Sequence, residues 1–210
     1  MFWILSIFIN SAPCLLAIIP LALLFSRLFP EGKRLKACIW AGLFSFLLAA
    51  MFSVTGVPSI YSLYSGPAYY GPVQWVPFSD MLTDPVQYIL NFILFAPLGV
   101  LLPFLSPAFQ RLRNVLLFGG GLSLFIEILQ LFNFRATDVN DFLANTAGAA
   151  LGFVLGKLLL AAFMKNGSGF ALFADKWTVS GPLIICVGSF LIMFLIEPIL
   201  SGFIWEQFYG

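Results

Sequence analysis

The chain alternates long apolar runs with short polar stretches. Six runs stand out: Phe2 to Phe25, Ala37 to Val57, Gln87 to Leu105, Asn114 to Phe132, Phe142 to Phe163 and Thr178 to Trp205. Each is long enough to cross about 30 Å of hydrocarbon at about 1.5 Å per residue. The pattern predicts an all-α fold, a polytopic transmembrane helix bundle of about six spans that fills residues 1–210 as a single transmembrane domain. Pro13, Pro20, Pro97, Pro103 and Pro198 fall inside the runs. Spanning helices tolerate such breaks when neighbouring groups satisfy the freed carbonyls. The first run has no basic leader and no small-residue cleavage site, so it reads as a retained span rather than a signal peptide.

Charge placement gives the topology. The connections Ser26 to Lys36, Ser106 to Arg113 and Met164 to Trp177 contain Arg27, Lys33, Arg34, Lys36, Arg111, Arg113, Lys165 and Lys176. Lys157 sits near the end of the fifth run and can snorkel to the same side. Nine of the ten basic residues thus share one face. The positive-inside rule makes that face cytoplasmic and puts both termini outside. The opposite face receives Asp80, Asp84, Asp138, Asp141 and Glu206, with Arg135 as its single base. Its longest connection, 58–85, is rich in Tyr, Trp, Pro and Gly, and is expected to lie along the outer membrane interface, where aromatic rings favour the headgroup zone.

Composition narrows the function classes. The chain is 61% hydrophobic and 9% charged, against about 25% charged for a soluble domain. Its solvent must be lipid. Ten thinly spread basic residues make no phosphate-tracking patch, so no nucleic acid partner is expected. With no histidine and three scattered cysteines (Cys14, Cys38, Cys186), neither a zinc site nor a haem is expected. The cysteines read as small packing residues.

One stretch departs from the apolar background: Glu127, Gln130, Arg135, Asp138, Asp141 and Asn145. Glu127 and Gln130 are three apart on the fourth span and share a face. A carboxylate in the outer part of the membrane costs roughly 2.5–3.5 kcal/mol on insertion scales, and the candidate partner to offset it is Arg135. On the fifth span, Asp138, Asp141 and Asn145 fall in one arc that continues through Gly148, Gly152 and Gly156. That small-residue stripe permits close helix approach, and its expected neighbour is the fourth span, which a short turn joins to it. The polar side chains would then face a common cavity, to which Asn91 on the third span could add its amide. A structural reading competes: Asp138 suits an N-cap, and a buried Glu–Arg pair can serve only to fix register. Glu197, followed by Pro198, is either a second pole of the site or a device that breaks the sixth helix. Oxygen ligands from Glu127, Asp138 and Asp141, with Asn145, would suit Mg²⁺, Mn²⁺ or Ca²⁺.

Together, Val76-Pro77-Phe78, then Asn91 with Phe95, Pro97 and Gly99, then Glu127-x-x-Gln130, Arg135, Asp138, Asp141, Asn145, Gly148 and Gly152 resemble the VanZ-like family. The motifs run through 74–156. The chain departs from the pattern at Gln74-Trp75, where Asn-Leu is expected. The resemblance implies a multi-pass protein of a bacterial plasma membrane, related to a protein that confers low-level resistance to the lipoglycopeptide teicoplanin. It implies no settled reaction. Three functions follow as expectations. The first is an envelope protein that binds a lipid or drug head group in an outward-facing polar cavity. The second is an intramembrane enzyme acting on a lipid-linked envelope precursor, with or without a divalent cation. The third is a small transporter or flippase. Membrane lipids, a lipid-linked precursor and a lipoglycopeptide are the partners these functions name.

Overall fold

The structure is a computed structural model that describes residues 18–29, 31–65, 71–79, 85–133, 135–163 and 179–209. Most of the first apolar run, Asp80, Asp84, Lys165 and Lys176 lie outside the described residues. In chain order the elements are α1 (18–26), α2 (Glu31–Thr55), α3 (Ile60–Ser65), β1 (Val73–Gln74), α4 (Pro85–Leu105), a 3-10 turn at Pro107–Gln110, α5 (Leu112–Gln130), β2 (Thr137–Asp138), α6 (Val139–Phe163), α7 (Ser180–Leu191), a π-helical segment at Ile192–Ile196 and α8 (Glu197–Tyr209). Among the described residues five helical stretches are long and apolar enough to cross a membrane: Glu31–Tyr64, Pro85–Leu105, Leu112–Gln130, Val139–Ala162 and Ser180–Phe203. The protein is therefore an all-α, polytopic membrane protein. Many of its large apolar side chains are exposed, Leu117, Leu124, Ile128 and Leu158 among them. In a spanning helix that exposure is contact with lipid tails.

The chain forms two compact units, Met1–Gly66 with Leu183–Gly210, and Pro67–Pro182. In the first, Ile18, Ala49 and Met193 pack together, and the Phe52 ring meets Phe190 edge-on. The helix through Ile192–Ile196 widens to a π turn, and the Glu197 N–H donates to the Ile192 carbonyl five residues back. Pro198 follows at once. A proline ring clashes with the carbonyl four residues earlier, and a wide turn just ahead of it relieves that crowding. Glu197 thus marks a built-in irregularity of the helix.

The second unit is an up-down-up arrangement of α4, α5 and α6. The α4–α5 connection is short because Ser106 caps the 3-10 turn, its Oγ accepting from the Ala108 N–H at 3.3 Å, and because Asn114 Nδ2 ties back to the Ala108 carbonyl at 2.7 Å. The glycine stripe of α6 meets α4, not α5. A Cβ at Gly148 would overlap the Phe92 carbonyl oxygen, one at Gly152 the Ala96 carbonyl, and one at Gly156 would press on the Val100 carbonyl. From the other side, a Cβ at Gly99 would overlap the Ala149 carbonyl. The two backbones are in direct contact. Lipid tails are as apolar as leucine, so helix pairing in a membrane depends on such close packing rather than on a hydrophobic drive. This corrects the expected pairing of the stripe with the fourth span. A short turn makes α5 and α6 neighbours, but it does not choose which face of α6 meets which helix.

Candidate functional site

The end of this unit where α4 and α6 begin and α5 finishes gathers most of its polar side chains. Glu127, in the last turn of α5, is 5% exposed. Its Oε2 accepts from the Asp138 backbone N–H at 2.9 Å, and its own carbonyl accepts from Thr137 Oγ1 at 3.3 Å. Asp138 immediately precedes α6, and its Oδ1 accepts from the Asn140 N–H at 2.8 Å. That is N-cap geometry. The partner of the buried Glu127 side chain is therefore a backbone N–H at the start of a helix, one of the donors that the helix itself leaves unsatisfied. A hydrogen bond of this kind contributes about 0.5–1.5 kcal/mol net, and leaving the buried group without it would cost about 1–3 kcal/mol. Arg135 plays no such part. Its side chain is exposed, its N–H donates to Asn133 Oδ1 at 2.8 Å, and among the described residues no ion pair joins it to Glu127.

Asp141 lies one turn into α6 and bridges to α4. Gln87 Nε2 donates to both of its oxygens, at 3.0 and 3.1 Å, and the Asn91 side chain approaches the same carboxyl. Asp138 and Asp141 are both close enough to Glu127 for their charges to interact, and Arg135 is close enough to Asp141. A further turn along, Asn145 Nδ2 donates to Ser123 Oγ at 2.9 Å across the α5–α6 contact. Both residues are buried, and Asn145 Oδ1 has no hydrogen-bond partner. Gln130 is buried at the end of α5.

The structure thus brings Glu127, Asp138 and Asp141 to one end, with Asn91 beside Asp141, Asn145 one turn deeper and Arg135 on the surface. Each carboxylate accepts from a different donor: an N–H at the start of α6, the next N–H but one, and a glutamine on α4. Among the described residues no group of three His, Cys, Asp or Glu side chains converges so as to hold a metal ion. The cation ligand set of Glu127, Asp138 and Asp141 is not assembled.

What lies beside Glu127 is an apolar cavity of about 170 Å³, bounded by Val73 of β1 and Trp75 just after it, Leu124 and Ile128 of α5, Leu131 at the cap of that helix and Phe142 of α6. Glu127 and Asp138 contribute to its wall, but their polar atoms are turned into the hydrogen bonds above and its surface is almost wholly apolar. The β1 segment is held there by a two-residue parallel pairing, Val73 with Thr137 and Gln74 with Asp138. Gly71 lies so close to the Arg135 carbonyl that a Cβ would overlap it. Gln74, at the departure from the family pattern, donates from Nε2 to Ser79 Oγ at 2.7 Å.

Three polar residues of this end escape a sequence reading. Gln87 lies four residues before Asn91, and Ser123 four before Glu127, so each shares a helical face with a residue already singled out. That spacing is a usable signal. Asn140 carries none. It is 1% exposed and holds the 76–78 turn, accepting from the Phe78 N–H at 2.6 Å and donating to the Val76 carbonyl at 3.5 Å.

No curated protein and no solved structure matches the chain. The VanZ/LLP1 family does, over residues 44–162. That stretch is more than half of the 210-residue sequence and contains α4, α5, all but the last residue of α6 and every polar residue of this end, so the chain belongs to the VanZ/LLP1 family.

Proposed function

We propose that this protein is a bacterial envelope membrane protein that binds an amphiphile from within the bilayer, an envelope lipid or the lipid-bearing part of a lipoglycopeptide. Through that binding it contributes to low-level teicoplanin resistance. The apolar cavity beside Glu127 carries the reading. Its size and apolar surface suit the end of an alkyl or isoprenoid chain. A chain that moves from lipid tails into such a wall gains packing contacts rather than hydrophobic transfer energy, so the polar part must supply selectivity. At the same end, Arg135 offers a guanidinium for a phosphate or carboxylate, and Asp141 offers a carboxylate for an amine. This keeps the head-group recognition expected from the sequence and moves the chain of the ligand into an apolar wall.

The test fills the cavity. Leu124→Phe is expected to retain thermal stability in detergent while losing co-purified lipid in native mass spectrometry, and cells carrying it should become as teicoplanin-sensitive as cells without the protein. Arg135→Ala should change which head groups co-purify rather than abolish lipid. A stable Leu124→Phe protein with undiminished lipid and resistance would sink the proposal.

A further inference from the structure

The turn between β1 and α4 has a surface that does not fit water. Trp75, Val76 and Phe78 are 75%, 64% and 62% exposed, and the nine residues Gly71 to Ser79 include no charge. The segment is not loose. Its first half is zipped to 133–138 by the Thr137 N–H to Pro72 carbonyl bond at 3.1 Å and by the β1–β2 pairing. Its second half is clamped by the buried Asn140 side chain, which bonds both the Phe78 N–H and the Val76 carbonyl. Phe78 sits at φ 62°, a left-handed conformation that a bulky residue adopts only when its surroundings enforce it. The clamp therefore holds a strained backbone so that its large apolar side chains project outward.

Continuity with a spanning helix shows what covers them. Trp75 shares the cavity wall with Leu124 and Ile128 of α5 and with Leu131 just after it; all three side chains are exposed, and the first two lie on a helix long and apolar enough to cross the membrane. The apolar surface of the turn prolongs the lipid-facing stripe of α5 toward its end. Aromatic side chains at that level favour the boundary between head groups and acyl chains. We propose that the Gly71–Ser79 turn is an interfacial anchor seated in the bilayer, with Asn140 as the residue that positions its side chains. Sequence composition suggested an interfacial loop; the clamp, the strained Phe78 and the shared wall with α5 supply the device that makes this turn one. The inference does not depend on ligand binding in the cavity.

The test uses the full chain with Trp75 as the one tryptophan, Trp3, Trp40, Trp177 and Trp205 each replaced by phenylalanine. It is reconstituted in phosphatidylcholine–phosphatidylglycerol vesicles whose acyl chains are brominated near the glycerol end. Trp75 fluorescence should be strongly quenched by the brominated lipid and weakly by aqueous iodide. In the same background Asn140→Ala should lose most of the lipid quenching and gain iodide quenching, whereas Asn140→Asp, which keeps an acceptor for the Phe78 N–H, should retain much of the lipid quenching. If Asn140→Ala fails to fold, the parent protein and the aspartate variant still decide the matter. Strong iodide quenching without lipid quenching would place the turn in water. Shielding from both quenchers would place it in a protein contact, such as a second copy of the chain. Either result overturns the anchor, and a folded Asn140→Ala protein with unchanged lipid quenching overturns the role of Asn140.

Discussion

Helix α6 has two neighbours and treats them differently. Toward α4 it presents Gly148, Gly152 and Gly156, and the backbones touch. Toward α5 it presents Asn145, Phe142 and the capped N-terminus, with hydrogen bonds from Asn145 to Ser123 and from the Asp138 N–H to Glu127, and with an apolar cavity beside Glu127. One face of the helix is a fixed joint with no room to give. The other leaves space. One helix thus carries a rigid joint on one side and a looser, side-chain contact on the other. The contrast also explains the three carboxylates at one end. Glu127 and Asp138 satisfy the start of α6, and Asp141 reaches Gln87 on α4, so this acidic set first serves to complete the packing of three helices.

The largest effect should come from the fixed joint. Gly152→Ala sets a methyl group on the Ala96 carbonyl and is expected to destabilise at or above the upper end of the usual overpacking range of about 1–3 kcal/mol, read as a lowered melting point in detergent. Gly121→Ala on α5, where a Cβ would meet nothing within 4 Å, is the control and should stabilise by about 0.5–1 kcal/mol. Equal effects would show that the α4–α6 joint is not close-packed at Gly152.

Next in size is the α5–α6 closure. Glu127→Leu removes the acceptor of the Asp138 N–H and should cost about 1–3 kcal/mol, while Glu127→Gln keeps an acceptor and should cost less than half as much in the same reversible unfolding assay. A neutral or stabilising Glu127→Leu would show that the carboxylate is kept for a task other than packing. Asp141→Ala frees Gln87 from its bidentate partner at a partly exposed position, with an expected loss of about 0.5–1.5 kcal/mol. Amide exchange at the start of α4 should quicken. The smallest change is Asn145→Leu. It loses the bond to Ser123 but also removes a buried oxygen without a partner, so stability should stay within about 0.6 kcal/mol of the parent.

Much of this was legible beforehand. The runs at Gln87 to Leu105, Asn114 to Phe132 and Phe142 to Phe163 coincide with α4, α5 and α6 to within a few residues. Asp138 as an N-cap was one of two readings of that residue, and its bond to the Asn140 N–H agrees with it. The glycine stripe of α6 is visible in the sequence, but chain adjacency points it at α5, whereas the contact falls to α4. The nearest opposite charge that the sequence offers Glu127 is Arg135. The actual donor is a backbone N–H, a group present at every residue and so invisible in a pattern of side chains.

The sequence by itself determined which of the described segments are long and apolar enough to cross a membrane, and which arc of α6 is small and polar. Entry into hydrocarbon is decided segment by segment from local composition, and a helix fixes the angle between its own side chains. Only the tertiary structure decided that the stripe meets α4, that Asn140 grips a turn 62 residues earlier, and that the space beside Glu127 is apolar. Those outcomes depend on surface fit between separate segments. In lipid no hydrophobic drive ranks one apolar face above another, so nothing in the hydropathy pattern could choose among them.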